Sequence, residues 1–130
     1  MAKRNLGGAW GEALAADYLR KKRYSLVAAG YRSRFGEIDL IVQNKQYLVF
    51  VEVKTRHMVF GVRTRYGRPA DAVNSTKRAH VIDAAKSYLR EHPTQLQPRI
   101  DVAEVYVTRR PDGTDQVTQV YIFPNAFGAR

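Results

Sequence analysis

Two apolar runs near the middle of the chain suggest its architecture, and each is broken by charge. Leu48-Val49-Phe50-Val51-Glu52-Val53-Lys54 has the length and β-branched content of a buried strand. Ile38-Asp39-Leu40-Ile41-Val42 is a second such run. Asn44-Lys45-Gln46 between them has turn composition, so the two runs are expected to pair as a hairpin. Upstream, residues 8–23 carry apolar positions at helical spacing, and residues 25–29 read as a strand. Strand limits of 36–43 and 47–55 enclose the two central runs. Downstream, residues 75–91 present Val81, Ile82, Ala85, Tyr88 and Leu89 on one helical face and stop before Pro93. Two more strands follow near 99–108 and 117–123, joined by a Pro111-Asp112-Gly113 turn. The order αβββαββ predicts an α/β fold, a central mixed β-sheet flanked by helices, in one domain spanning 1–130.

The charges inside the runs carry the chemistry. Side chains alternate across a strand, so Glu52 and Lys54 are expected on one face with Leu48 and Phe50. By the same rule Glu37, Asp39 and Ile41 share a face, and Ile38, Leu40 and Val42 share the other. A charge on a core strand is costly to bury unless it is paired or used. Across a hairpin, Asp39 and Glu52 come within about 5 Å of each other. Two close carboxylates repel unless a proton or a cation lies between them. Oxygen donors alone suit Mg²⁺ or Mn²⁺ and suit zinc poorly. The plain alternative is a Glu–Lys ion pair facing water on an edge strand, which contributes little. Apolar residues on both faces of the runs argue against it. On the first helix, Glu12 falls within the apolar arc of Gly11, Leu14, Ala15, Tyr18 and Leu19, opposite Asp17, Arg20 and Lys21. A glutamate in the first turn also suits the helix dipole, which leaves its facing unexplained. Glu12 is therefore expected to converge with Asp39 and Glu52.

Composition adds a partner. The 130 residues hold 22 Lys and Arg against 12 Asp and Glu, a formal charge of +10. That excess favours a polyanion, most simply nucleic acid. From Lys54 to Pro69 the chain carries Arg56, Arg63, Arg65 and Arg68 and no acid, with Phe60 and Tyr66 interleaved. A basic loop over 56–69 suits phosphate contacts, although a solvated connection has the same composition. Lys77 and Arg78 start the second helix and could reach the site or the ligand. Arg20 to Arg23 form a further basic run, which equally suits a helix C-terminus. His57, His80 and His92 lack metal-pair spacing, and Asp101 reads as a structural acid opening its strand. The absence of cysteine excludes disulfides, thiolate metal sites and cysteine nucleophiles, and fits a reducing cytoplasm. No apolar stretch has bilayer length, and no apolar core follows the N-terminal charges. The expectation is a cytoplasmic protein with no membrane partner.

Gly36-Glu37-Ile38-Asp39-Leu40-Ile41 and Phe50-Val51-Glu52-Val53-Lys54-Thr55-Arg56 together resemble the core of the PD-(D/E)XK nuclease superfamily. More narrowly, the chain resembles the small bacterial YraN-type, endonuclease-like family, which is similar to archaeal Holliday junction resolvases. Gly11-Glu12-Ala13-Leu14-Ala15 and Arg99-Ile100-Asp101-Val102 fit that family as well. Ile38 stands where the superfamily's nominal pattern has proline. The resemblance implies that Asp39 and Glu52 bind Mg²⁺ or Mn²⁺ with help from the Val53 carbonyl. It implies that Lys54 positions or helps activate the attacking water, and that Glu12 completes the acidic site. It also implies a metal-dependent endonuclease hydrolysing DNA phosphodiester bonds, with branched or structured DNA among its substrates, acting as a monomer or homodimer. Two alternatives stay open. One is a catalytically inactive nucleic-acid-binding module, and the other a structural protein binding an acidic partner.

Overall fold

The apolar runs become the interior strands of one five-stranded sheet. The computed structural model describes residues 8–59 and 74–128. Helix α1 (Gly8–Lys21) leads into β1 (Ser25–Ser33), β2 (Gly36–Gln43) and β3 (Tyr47–Val59). Helix α2 (Ser75–Glu91) then precedes β4 (Gln97–Arg109) and β5 (Asp115–Phe123). The strands lie in the order β1-β2-β3-β4-β5, with β3 and β4 parallel and the other neighbours antiparallel. The parallel pair arises because the chain leaving β3 returns to the sheet through α2, a crossover that a hairpin cannot supply. The fold is the expected mixed sheet flanked by helices, consistent with a restriction-endonuclease-like core.

Alternation divides the core into two layers. Ala15, Ala16 and Leu19 of α1 pack on Leu40, Val42, Val49, Val51, Ala103, Val105 and Val107. On the opposite face, Val81, Ala84, Ala85 and Tyr88 of α2 pack on Ile38, Ile41, Leu48, Phe50 and Ile100. Strands β2 and β3 are thus buried on both sides, which is why their sequences are continuously apolar. The β2–β3 turn is fixed by Asn44, whose Oδ1 accepts from the amides of Gln46 and Tyr47 at 2.8 and 2.7 Å.

Several boundaries and facings differ from the pattern expected of the sequence, β4 and β5 each starting two residues earlier than expected. Helix α1 ends at Lys21, short of residue 23, because Arg23 takes a left-handed φ of 73° that closes the helix. Strand β1 runs to Ser33 through Gly30, whose φ of 65° suits a residue without Cβ. Gly30 sits across from Asp39, between the pairs Ala29↔Leu40 and Tyr31↔Ile38. Simple alternation fails on β2 around Asp39, where Ile38 packs with Ile41 on the α2 side, not with Leu40 and Val42. Strand β3 also runs past Thr55 to Val59, paired with Tyr106 to Arg109 of β4, so Arg56 lies on a strand, not on the predicted loop. Arg63, Arg65 and Arg68 lie outside the described residues.

Candidate active site

Strands β2 and β3 pair from Gln43↔Leu48 up to Leu40↔Val51 and then part. Asp39 and Glu52 are the next residues on each strand, so they face each other where the ladder opens. Asp39 closes the opening with its side chain: its Oδ2 accepts from the Val53 amide at 2.8 Å.

Glu52 is almost fully buried, with 3% of its surface exposed. It points to the α2 side, as its alternation with Leu48 and Phe50 requires. The Lys77 ammonium, from the first turn of α2, lies 3.3 Å from Glu52 Oε2. The other oxygen, Oε1, is buried with no hydrogen-bond partner. Burial and the neighbouring Asp39 charge raise the Glu52 carboxyl to about 7, against the pull of Lys77. Asp39 stands close enough to share a proton with Glu52, but two ionised carboxylates cannot donate to each other. A proton or a cation between them resolves the contact.

Helix α1 brings Glu12 to Asp39 from the other face of the sheet. Gly11 makes this possible, because a Cβ there would stand 2.3 Å from Thr55 Oγ1 on β3. The helix therefore lies closer to the sheet than any side chain at position 11 allows. Glu12 is half-buried and lines a cleft of about 400 Å³ with Ala13, Ala16, Leu26, Ala29 and Leu40. Its carboxyl is raised to about 7, first by burial, then by the charges of Asp39 and Glu37 and a hydrogen-bonding contact with Asp39. Asp39 is thus flanked by Glu12 and Glu52. Among the described residues, no three His, Asp or Glu side chains converge tightly enough to cage a cation alone. Mg²⁺ does not need such a cage, since it keeps several waters and commonly takes one or two carboxylates plus substrate phosphate. The orphaned Glu52 Oε1, on a carboxylate that adjoins Asp39, fits that donor set.

The basic residues divide between the site and its border. Lys54 is half-buried on β3, two residues beyond Glu52 on the same face. In the ladder it lies beside Glu104 of β4. Glu104 is buried, accepts from the Tyr106 hydroxyl at 2.9 Å and stands 3.9 Å from Arg56 Nε. Neither Glu104 nor Tyr106 is among the residues the sequence singled out. An acid within an apolar run, the signal that exposed Asp39, is also present in Val102-Ala103-Glu104-Val105. Lys77, expected as a nucleic-acid contact, touches a carboxylate of the site itself. Val53 takes part through its amide. Asp101 lies apart, clamping Arg99 at 2.9 Å and the Asn125 amide at 2.9 Å. His80 is exposed on α2, and His92 Nδ1 lies 3.3 Å from the Tyr88 carbonyl at the end of that helix. Among the described residues, no helix is long and apolar enough to cross a membrane.

Comparison with known proteins identifies the chain's family. Residues 11–105, from the α1 glycine through β3 to the middle of β4, match the uncharacterised protein family UPF0102. A UPF0102 protein of Syntrophomonas wolfei is 39% identical over 122 residues, covering 92% of this chain and 96% of its own length. One from Caldicellulosiruptor bescii is 35% identical over 122 residues, covering 92% and 95%. Another, from Caldicellulosiruptor saccharolyticus, is 33% identical over 128 residues, covering 98% and 100%. With most of its length matched in this way, the chain belongs to UPF0102, the YraN-type PD-(D/E)XK-like family.

Proposed function

We propose that this protein is a metal-dependent endonuclease that hydrolyses DNA phosphodiester bonds, with branched or structured DNA among its substrates. The observation that carries the reading is Glu52 Oε1, buried without a partner on a carboxylate that Asp39 adjoins. A buried, unpartnered carboxylate oxygen is costly in a finished fold, and a hard divalent cation would satisfy it. Asp39 and Glu52 would hold Mg²⁺ or Mn²⁺, with the Val53 carbonyl as a further donor. When bound, such a cation supplies a more acidic water and offsets charge on the scissile phosphate. The chain's own groups do the rest. The Val53 amide fixes Asp39 by donating to its Oδ2. Lys54 orients the attacking water and faces the phosphate with an ammonium. Glu12, with a carboxyl raised to about 7, can take or return a proton near neutral pH. Outside the pocket, Arg56 and the arginines at 63, 65 and 68 would contact flanking phosphates.

The test is a panel of linear, flapped and four-way DNA incubated with Mg²⁺ or Mn²⁺. The expected outcome is cation-dependent cleavage by the wild type, none by Asp39→Asn or Glu52→Gln, and severely slowed cleavage by Lys54→Ala. All three variants should fold, since removing an awkward charge need not destabilise a core. Full cleavage by purified Glu52→Gln refutes the mechanism. Salt-sensitive DNA binding with no cleavage under either cation favours a binding module, and no DNA binding at all favours an acidic protein partner.

A further inference from the structure

We infer that Lys77 is a positioning residue for Glu52, holding Oε2 and standing in for the charge of the divalent cation when none is bound. The inference rests on the metal site proposed above and concerns how that site is kept assembled between ligands. Three observations carry it. The Lys77 ammonium lies 3.3 Å from Glu52 Oε2, while Oε1 has no hydrogen-bond partner, so one oxygen is held and the other is left for a ligand. The acid is 3% exposed and the lysine side chain 40%, so the ammonium arrives from the solvent edge and its charge reaches the interior. The backbone of Lys77 is itself fixed, because the Asn74 side chain caps α2 and accepts from the Lys77 amide at 2.8 Å.

The plain reading is an ordinary ion pair, worth little at a surface. It fails on the burial of Glu52, since truncating one partner of a buried pair leaves an uncompensated charge. Asp39 sharpens the point, because it adds a second negative charge against the same carboxylate. Without Lys77, Glu52 would meet the Asp39 charge with neither of its oxygens held. A divalent ion at Oε1 would supply the missing charge from the other side. Lys77 and the metal are thus two sources of the same compensation, on different oxygens of one carboxylate.

The experiment compares the full chain with Lys77→Met, which keeps an unbranched apolar stem, and Lys77→Arg, which keeps the charge. Thermal unfolding is followed in mildly alkaline buffer with and without MnCl₂, and Mn²⁺ uptake is measured by calorimetry. Lys77→Met should lose about 5 °C or more in Tm without Mn²⁺ and regain most of it with Mn²⁺. Lys77→Arg should stay near the wild type in both conditions. An equal drop with and without Mn²⁺ would mean that Lys77 only packs, and no drop would mean an ordinary surface pair; either overturns the inference. Mn²⁺ uptake by the wild type distinguishes a failed role for Lys77 from a failed metal site. If the wild type takes up Mn²⁺ and the variants behave in either of those ways, only the role of Lys77 falls. If it takes up none, the metal site falls and the role of Lys77 with it.

Discussion

Glu52 enters the fold with one oxygen held by Lys77 and the other unpartnered, and this asymmetry has a signature in pH. An ordinary glutamate titrates near 4.5, whereas burial and Asp39 raise Glu52 to about 7. Between those values the folded chain binds more protons than the unfolded chain, so stability falls as pH rises through the window. Below it both states are protonated and the penalty is absent; above it both are charged and the penalty is complete. Glu12 contributes in the same direction, also between about 4.5 and about 7. The clean measurement is therefore the Tm of the metal-free wild type minus that of Glu52→Gln. This difference should fall as pH rises from about 4.5 to about 7. A difference that stays flat would show that Glu52 is not strained in the fold. Asp39 and Glu52 were legible in the sequence because each puts an acid in an apolar run. The sequence left Lys77 open between the site and the ligand, and the fold sets its ammonium against Glu52 because α2 packs over the face that Glu52 shares with Leu48 and Phe50.

Elements decide whether those residues meet. The limits of β2 and α2 match the apolar pattern of the sequence, and the β2–β3 hairpin follows from Asn44. The length of β3 was hidden, because its last residues, Arg56 to Val59, are held as strand by pairing with β4. The conformation of Gly30 was hidden too, since a glycine within an apolar run does not announce a left-handed φ. Gly11 is the clearest case of an element set by one residue. An alanine there would place Cβ 2.3 Å from Thr55 Oγ1, so α1 must lift or Thr55 must rotate. Overpacking of this kind costs about 1–3 kcal/mol, against the ~0.5–1 kcal/mol that alanine gains over glycine within a helix. Gly11→Ala should therefore destabilise the protein by about 1 kcal/mol. The same substitution in a Thr55→Ala background should be neutral or stabilising, because the clashing hydroxyl is gone. Urea unfolding of the four proteins measures the coupling, and simple additivity would rule out the clash as the cause. Lifting α1 also carries Glu12 away from Asp39, so Gly11→Ala alone should slow cleavage while leaving Mn²⁺ binding near the wild type.

At the scale of the whole molecule, the charge of +10 is distributed so that many of its acids are already paired. Arg20 with Asp17, Arg32 with Glu37, Arg99 with Asp101 and Arg109 with Asp115 cancel locally, and Glu52 is met by Lys77. The surplus positive charge is concentrated where the sequence offers no acid nearby. The stretch from Lys54 to Pro69 is the clearest such concentration, with four arginines and no acid, and it leaves the site directly after Glu52. Arg63, Arg65 and Arg68 lie outside the described residues, and their place in the proposed DNA contact rests on sequence position and charge. If these three contact phosphates flanking the scissile bond, replacing them with Ala should weaken duplex binding and flatten its salt dependence. The slope of log affinity against log salt should drop by about 0.9 for each phosphate no longer neutralised. Mn²⁺ affinity should not change, because the proposed metal ligands are Asp39, Glu52 and Val53. Cleavage at saturating DNA should change less than affinity, since removing groups distant from the reacting phosphate weakens substrate and transition state alike. Fluorescence anisotropy over a salt series, run beside calorimetric Mn²⁺ titration, separates these effects. An unchanged affinity and slope in the triple variant would mean that the arginines only solvate a connection, and the DNA path would then run along Arg20 to Arg23 at the end of α1.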